Sequence, residues 1–409
     1  MTDASRELAE VIRTEGARIL ATLVRILGDL QLAEDAVQEA AIRAMRQWPV
    51  SGVPDSPRAW LTVTAKRAAI DALRRESVRT TREREAVHLD LGEPPEHVVH
   101  DDMLRLMFTC THPALSLESA VTLALRTLCG LSNAELAAVL LTTESAVAKR
   151  LTRTRAKIAK AGIPYQVPSD SELPQRLSAV CAVLHSAYTS AHTASGHAGL
   201  TDVDGCREAV RLARLVCALM PDEAMPMAVL SLLLLTEARR RARTDGNGDP
   251  VPLADQNRDA WDTAMIGEGR RLLDDSLRRT DGIADAYQLQ AAIAAEHAIA
   301  PSYPETDWAE VVRLYDLLIE VHPSSAARLA RTVAVAELFG PEAGLAELED
   351  DEPGVDDHRW HAVRGELLAR TGRFGDAVTA MTASLTSAVN APEAAHRRRL
   401  IAEWTLALS

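Results

Sequence analysis

Between Glu144 and Lys160, the apolar positions Val147, Leu151, Thr154 and Ile158 return to one face at about 100° per residue, and Lys149, Arg150, Arg153, Lys157 and Lys160 fall roughly opposite. Just upstream, Gly130-Leu131 ends a helix and Ser132-Asn133-Ala134-Glu135 has capping-box spacing: the Ser132 hydroxyl accepts from the Glu135 N–H while Glu135 reaches back. A short helix to Leu141 and a restart at Thr142-Thr143 complete the spacing of a helix-turn-helix. An apolar inner face with a basic outer face suits contact with phosphates and base edges. The ordinary alternative is a solvated charged face, but acidic partners are missing beyond Glu144.

Two further runs show helical periodicity. From Pro57 to Arg84, an apolar stripe of Leu61, Ala65, Ala68, Ala69, Ala72 and Leu73 accompanies the charges of Lys66, Arg67, Arg74, Arg75, Arg79, Arg82 and Arg84. Asp71 precedes Arg74 and Arg75 by three and four residues, a spacing that lets it orient them. Trp48 and Trp60 are the only aromatics before Phe108, so this half has no platform of stacking rings. Trp60 reads as a core anchor or as a base-stacking residue. From Ala33 to Ala40 the chain is acidic and amphipathic, the pattern of a protein-docking face.

Breaks in the pattern divide the chain. Residues 49–57 hold three prolines and a glycine, residues 77–100 are polar and charged, and residues 162–174 hold three prolines. A loop over 244–256 interrupts the back half. Between the breaks no β-branched alternation of period two occurs, so the expected fold is all-α. The expected domains are 1–80, a linker over 81–109, a helix-turn-helix over 110–162, a second linker over 163–174 and a helical extension over 175–409. Within the extension Ala309, Ala343 and Ala377 stand 34 residues apart. Gly365, Gly372, Phe374 and Leu385 surround the last of them. A 34-residue period with small residues at the helix contact predicts tetratricopeptide-like (TPR-like) packing.

Composition changes this picture in two ways. The net charge of −13 argues against a nucleic-acid partner until it is divided. Residues 1–165 hold 22 Lys and Arg against 21 Asp and Glu, leaving 23 basic and 37 acidic residues behind them. The acid therefore belongs to the extension, and the two halves are expected to meet different partners. The five cysteines form no C-x-x-C pair, which predicts a reduced, cytoplasmic protein without disulfides or structural zinc. Cys110 with His112 makes two ligands and no site; a buried thiol is the simpler reading. The densest apolar run, Ala228 to Leu235, is too short to cross a membrane, and Met1 to Ala9 lacks the apolar block of a signal peptide.

In order, these pieces resemble the sigma-70 family, extracytoplasmic-function (ECF) group, over residues 10–160. The resemblance implies a non-enzymatic sigma factor that binds core RNA polymerase and promoter DNA. It implies polymerase contact through Asp35, Gln38 and Glu39. It implies contact with the −10 element through Trp60, Lys66, Arg67, Arg74 and Arg75, and with the −35 element through Thr143, Ser145, Lys149, Arg150, Arg153 and Lys157. The family often has Arg-Asn where this chain has Lys66-Arg67. The back half is similar to a branch with a TPR-like extension, often encoded beside small DGPF-motif (YCII-related) proteins. The matching stretches are Gly162-Ile163-Pro164-Tyr165, Ala218 to Glu223, Asp255 to Arg258, Tyr287 to Ile293 and Thr306-Asp307-Trp308. That branch commonly carries Asn-Glu-Gly-Tyr where Thr189-Ser190-Ala191-His192 stand here.

The expectation is a sigma factor with no cofactor and no metal, whose extension regulates it or receives a partner. A helix-turn-helix repressor or activator with a TPR-like sensing half is the alternative, distinguished by binding duplex promoter DNA without polymerase. No nucleophile-base pairing, HExxH or Gly-rich phosphate loop supports an enzyme. Gln256, Arg258 and Trp261, with Tyr287, Gln288, Gln290 and His297, either line a pocket in the extension or brace neighbouring turns.

Overall fold

Alanine and leucine at helical spacing produce helices throughout. The computed structural model describes residues 3–77, 96–140, 142–192, 203–246, 248–282, 284–350, 358–385 and 391–408. Among these, every regular element is a helix or a short 3-10 turn, apart from one isolated bridge between Thr244 and Pro250. The all-α expectation holds. The chain divides into two units, Met1–Ala187 and Tyr188–Ser409.

The first unit begins with α1 (Asp3–Leu27), α2 (Leu30–Ser51) and α3 (Pro57–Ser77), which pack on one another. Asp29 starts α2 by accepting the Leu32 N–H at 2.9 Å. Helix α4 (Glu96–Cys110) lies against α1, and α5 (Leu117–Leu128) packs on α4. Two shorter partners follow, α6 (Asn133–Val139) and α7 (Glu144–Ala161), and then α8 (Leu173–His192). Ile19, Leu23, Trp48, Leu61, Phe108, Leu123 and Leu136 are among the fully buried side chains of this core.

The region expected as a linker over 81–109 differs in its second part. Residues 78–95 lie outside the described residues, but 96–110 form α4. The carboxylate of Asp102, fully buried, accepts from Arg25 Nε at 2.8 Å on α1 and from Arg105 at 3.0 Å. The segment expected as a second linker, 163–174, is also tied down. The Tyr165 hydroxyl sits between the carbonyls of Ala21 (2.8 Å) and Asp102 (2.9 Å) and shares its one proton between them. Arg176, at the start of α8, donates to the Phe108 carbonyl at 2.9 Å. The first half of α8 accordingly belongs with the front unit, beyond the expected boundary at 175.

The second unit continues with α9 (Val203–Leu219), α10 (Ala224–Glu237), α11 (Thr263–Arg278) and α12 (Ala286–Ile299). The apolar run Ala228–Leu235 lies in α10, which is enclosed by α9, α11 and α12. That packing explains its hydrophobicity on all sides, and no helix among the described residues is long and apolar enough to cross a membrane. Beyond it come α13 (Trp308–Val321), α14 (Ser325–Phe339), α15 (Pro341–Asp350), α16 (His358–Arg370), α17 (Phe374–Ala383) and α18 (Ala391–Leu406). Successive helices pack on each other. The odd-numbered ones start at 308, 341 and 374 and the even-numbered ones at 325, 358 and 391, a constant step of 33 residues. The step is one residue shorter than the 34-residue spacing of Ala309, Ala343 and Ala377.

The small residues at the contacts are not the ones expected. Ala377 is fully buried, but Ala309 is exposed and Ala343 only half-buried, because a 34-residue spacing on a 33-residue helix step moves each alanine one position along its helix. Glycines take the role instead. A Cβ on Gly344 would lie 2.7 Å from the Ala336 Cβ and 3.0 Å from Leu367, and one on Gly365 would lie 3.2 Å from the Met381 amide nitrogen. Gly344→Ala is therefore expected to lower stability by about 1–3 kcal/mol through overpacking. Urea melting of the full-length chain checks this; an unchanged midpoint would mean that α14 and α15 separate freely.

Candidate nucleic-acid interface

Helix α7 owes its position to its ends. On α6 the expected capping box is formed, with the Ser132 N–H donating to Glu135 at 2.7 Å and the Glu135 N–H to the Ser132 hydroxyl at 3.2 Å. Thr143 starts α7 by accepting the Ala146 N–H at 3.2 Å, and Gly162 ends it at φ +60°, a left-handed position. Val147, Leu151 and Thr154 are buried. Thr143, Ser145, Lys149, Arg153, Lys157 and Lys160 are exposed. Among the described residues, Lys149, Arg153, Lys157 and Lys160 have no carboxylate partner, so one side of α7 is an uncompensated cationic row.

Arg150 is not part of that row. Its side chain, 15% exposed, forms an ion pair with Glu118 on α5 and donates to the Thr122 hydroxyl at 3.2 Å. The reason is positional: residue 150 is three after Val147 and four before Thr154, so it borders the apolar face. Arg155 was absent from the sequence reading although it stands four after Leu151. It pairs with Glu34 of α2 at 2.5 Å, and both are largely buried. Burial raises the Glu34 carboxyl above the ordinary range, outweighing Arg155 and Arg126. The same environment surrounds Cys110, a fully buried thiol pushed up to about 12 by desolvation and then by Glu34, which rules it out as a thiolate at neutral pH.

On α2, Asp35 and Gln38 are exposed. Glu39 is half-buried and accepts from Arg43 at 2.9 Å, while Gln31 donates to Asp35 at 3.0 Å. Gln38 also borders a cleft of about 120 Å³, lined by Ile12, Val37 and Ala41 on one side and by Arg126 and Thr127 of α5 on the other. On α3, Arg67 is exposed and Trp60 is half-buried, its ring edge-on to Trp48 at 5.6 Å. The contact fits the core-anchor reading, and the ring keeps part of its surface in solvent. Lys66 departs from expectation: it is 2% exposed, because it follows Thr62 by four residues and precedes Ala69 by three, both buried. Arg74 and Arg75 fall on the last turns of α3, with side chains outside the described residues.

In the second unit, a grouping that the sequence reading missed brings His192, Cys206 and Glu237 together, their donor atoms within 4.8 Å of one another. The residues come from α8, α9 and α10, so no sequence spacing announced them. Their lone pairs are engaged: Glu237 accepts from Tyr188 (3.2 Å) and Arg240 (2.5 Å), and the Arg243 guanidinium lies 3.1 Å from His192 Nδ1. A guanidinium at that distance opposes a metal cation. Burial, then Arg243 and Arg239, lowers the His192 pKa to about 3. A base whose folded pKa lies below its unfolded value near 6.5 contributes stability that is present above about 6.5 and is lost as pH falls toward 3. At pH 5 the loss is about 2 kcal/mol. Thermal melting at pH 5 and pH 7.5 is expected to show this difference, and His192→Gln is expected to shrink it; equal shifts in both chains would remove His192 as the cause.

The polar residues read as pocket or brace divide. Gln288 is a brace, fully buried, donating to the hydroxyls of Ser276 (2.8 Å) and Thr280 (2.6 Å) and capping α12 with Asp285. Gln290 donates to the Ala286 carbonyl at 3.1 Å. Arg258, Trp261 and His297 come together elsewhere, with Arg258 Nη1 donating to the His297 carbonyl at 2.7 Å.

Residues 11–79 match Sigma-70 region 2, and residues 176–277 match a family of unknown function (DUF6596). An uncharacterized protein of Rhizobium meliloti (strain 1021) is 39% identical over 389 residues, which cover 93% of this chain and 91% of that protein. The chain belongs to the family of this rhizobial protein, and its residues 11–79 carry the Sigma-70 region 2 match. A probable ECF RNA polymerase sigma factor, SigI, of Mycobacterium tuberculosis (strain ATCC 25618 / H37Rv) is 28% identical over 162 residues, or 38% of this chain and 55% of SigI. The SigI of strain CDC 1551 / Oshkosh matches to the same extent. No solved structure matches. The region 2 match spans α1 to α3, so Asp35, Gln38, Glu39, Trp60 and Arg67 all lie inside it.

Proposed function

We propose that this chain is an ECF-type sigma factor that binds core RNA polymerase and directs it to promoters. The observation that carries the reading is the co-linear pairing of the region 2 match at 11–79 with the unpaired cationic row of α7 behind it. In this reading α6 and α7 are a helix-turn-helix, and Thr143, Ser145, Lys149, Arg153 and Lys157 meet the −35 element. Arg150 braces α7 through Glu118 rather than reading bases. Trp60, Arg67, Arg74 and Arg75 serve the −10 element, with Lys66 supporting the helix from inside. Asp35 and Gln38 offer the exposed polymerase-docking surface on α2, and Glu39 flanks it.

The extension is proposed as a TPR-like array, supported by the 33-residue step of helix pairs and the glycine contacts between them. Its acidic surface suits regulation of the sigma half or capture of a protein partner, a DGPF-motif protein by resemblance. The test is co-elution of the full-length chain with bacterial core RNA polymerase. Wild type is expected to co-elute, and Asp35→Arg with Gln38→Arg is expected to weaken association at least about tenfold, the scale of a reversed charge at a docking face. Absence of co-elution for the wild-type chain would overturn the reading.

A further inference from the structure

The second unit is rich in acid, and most of its arginines are claimed by it. Arg211 pairs with Glu208, Arg214 with Glu268, Arg331 with Asp316 and Glu347, and Arg370 with Glu337. Two are left aside. Arg239, just past the end of α10, makes no side-chain hydrogen bond or ion pair among the described residues. Its side chain is half-buried, and burial, then Arg243, depresses its pKa to about 10. Arg258 lies 4.5 Å over the Trp261 ring and spends Nη1 on the carbonyls of His297 (2.7 Å) and Ala300 (2.8 Å). Its Nη2 is buried and unpartnered.

Two more orphaned polar atoms stand with it. Trp261 is 6% exposed and its Nε1 donor has no partner; His297 Nδ1 is likewise buried and unsatisfied. Burial first, then Arg239 and Arg258, lowers the His297 pKa to about 4, so both guanidinium groups lie close to this ring and the imidazole is neutral at physiological pH. The Asp262 N–H donates to the Ala238 carbonyl at 2.8 Å, which fixes the end of α10, and with it Arg239, against the Arg258–Trp261 turn. Buried donors are almost always satisfied in folded proteins, and these are not satisfied by the chain itself. An internal carboxylate would have neutralised the cluster, as it does for the arginines above.

We propose that Arg239, Arg258, Trp261 and His297 form a binding site for a small-molecule oxyanion, a carboxylate or a phosphate group. Arg258 Nη2 and the Arg239 guanidinium supply charge-assisted donors, Trp261 Nε1 a neutral one, and the Trp261 ring, already stacked under Arg258, an apolar wall. The acidic surroundings oppose a polyanion such as nucleic acid and favour a compact ligand. The site does not depend on the sigma reading of the front unit.

The test is calorimetric titration of the full-length chain with inorganic phosphate and, separately, with benzoate, against chloride at matched ionic strength. Saturable one-to-one binding of either anion is expected, and which one binds tells a phosphate source from a carboxylate source. Arg239→Gln and Trp261→Phe are each expected to weaken it about tenfold or more, the effect of one lost donor to a charged group. Arg239→Gln is also expected to melt no lower than wild type without anion, since it removes an unpaired, half-buried charge. If Arg239→Gln fails to fold, Trp261→Phe decides, because it keeps a smaller aromatic face under Arg258 and removes the indole donor. Absence of saturable binding by both anions would overturn the proposal and assign the orphaned donors to buried water. Binding unchanged in both variants would also overturn it, as an adventitious ion only.

Discussion

Changing Lys149 and Arg153 together to glutamate is expected to abolish promoter-directed transcription and to leave the melting temperature of the full-length chain nearly unchanged. Both side chains are exposed on α7 and neither has a carboxylate partner among the described residues. Surface changes of this kind move stability by about 0.5 kcal/mol or less. Toward DNA the double reversal turns two phosphate-attracting charges into two repelling ones, so affinity at physiological salt is expected to fall at least about 100-fold. The contrast is Arg150→Ala. Because Arg150 is 15% exposed and holds Glu118 and Thr122, its loss is expected to act on stability first. Wild-type transcription from the Lys149→Glu, Arg153→Glu chain would show that α7 does not face DNA.

The second large effect concerns the contact between α1 and α4. Asp102→Ala is expected to destabilise the first unit by about 3 kcal/mol, the lower end for breaking a buried ion pair, since Arg25 and Arg105 keep roughly a third of their side chains in water. Burial raises the Asp102 carboxyl above its ordinary range even against both arginines. Its two oxygens each accept from one guanidinium, so Asp102→Asn keeps one acceptor and turns an amide NH2 toward the other arginine, and is expected to cost about 1–3 kcal/mol. Denaturant unfolding of the two variants measures both losses. An unchanged midpoint in both would mean that Asp102 does not hold α4 to α1.

What the sequence made legible was local. The capping box at Ser132 and Glu135 formed as spaced, and the apolar face of α7 was right at Val147, Leu151 and Thr154, because one helix turn decides both. The residues bordering that face were ambiguous on a helical wheel: Arg150 and Arg155 turned inward once α5 and α2 supplied Glu118 and Glu34. Lys66 was hidden for the same reason, since its burial is set by what α3 packs against. Helix α4 was read as linker because its polar approach outweighed Met103, Leu106, Met107 and Phe108, and because its anchor, Arg25, lies 77 residues away. In the extension the 34-residue alanine spacing overshot the 33-residue step of the helix pairs, and the contact residues were not legible. Only the packed pairs show that Gly344 and Gly365, and not Ala309 or Ala343, sit where helices approach most closely. Of the Arg239, Arg258, Trp261 and His297 grouping, the last three were legible as pocket or brace candidates, while Arg239, 19 residues before Arg258, had no spacing to betray it.

The most direct test of the sigma reading is transcription in vitro from a library of genomic fragments by core RNA polymerase, with and without the full-length chain, reading the 5′ ends of the products. The account predicts discrete start sites that appear only when the chain is present and that disappear with Lys149→Glu, Arg153→Glu. Unchanged products on adding the chain, together with tight binding of the chain alone to duplex DNA, would contradict it and leave a polymerase-independent regulator in its place.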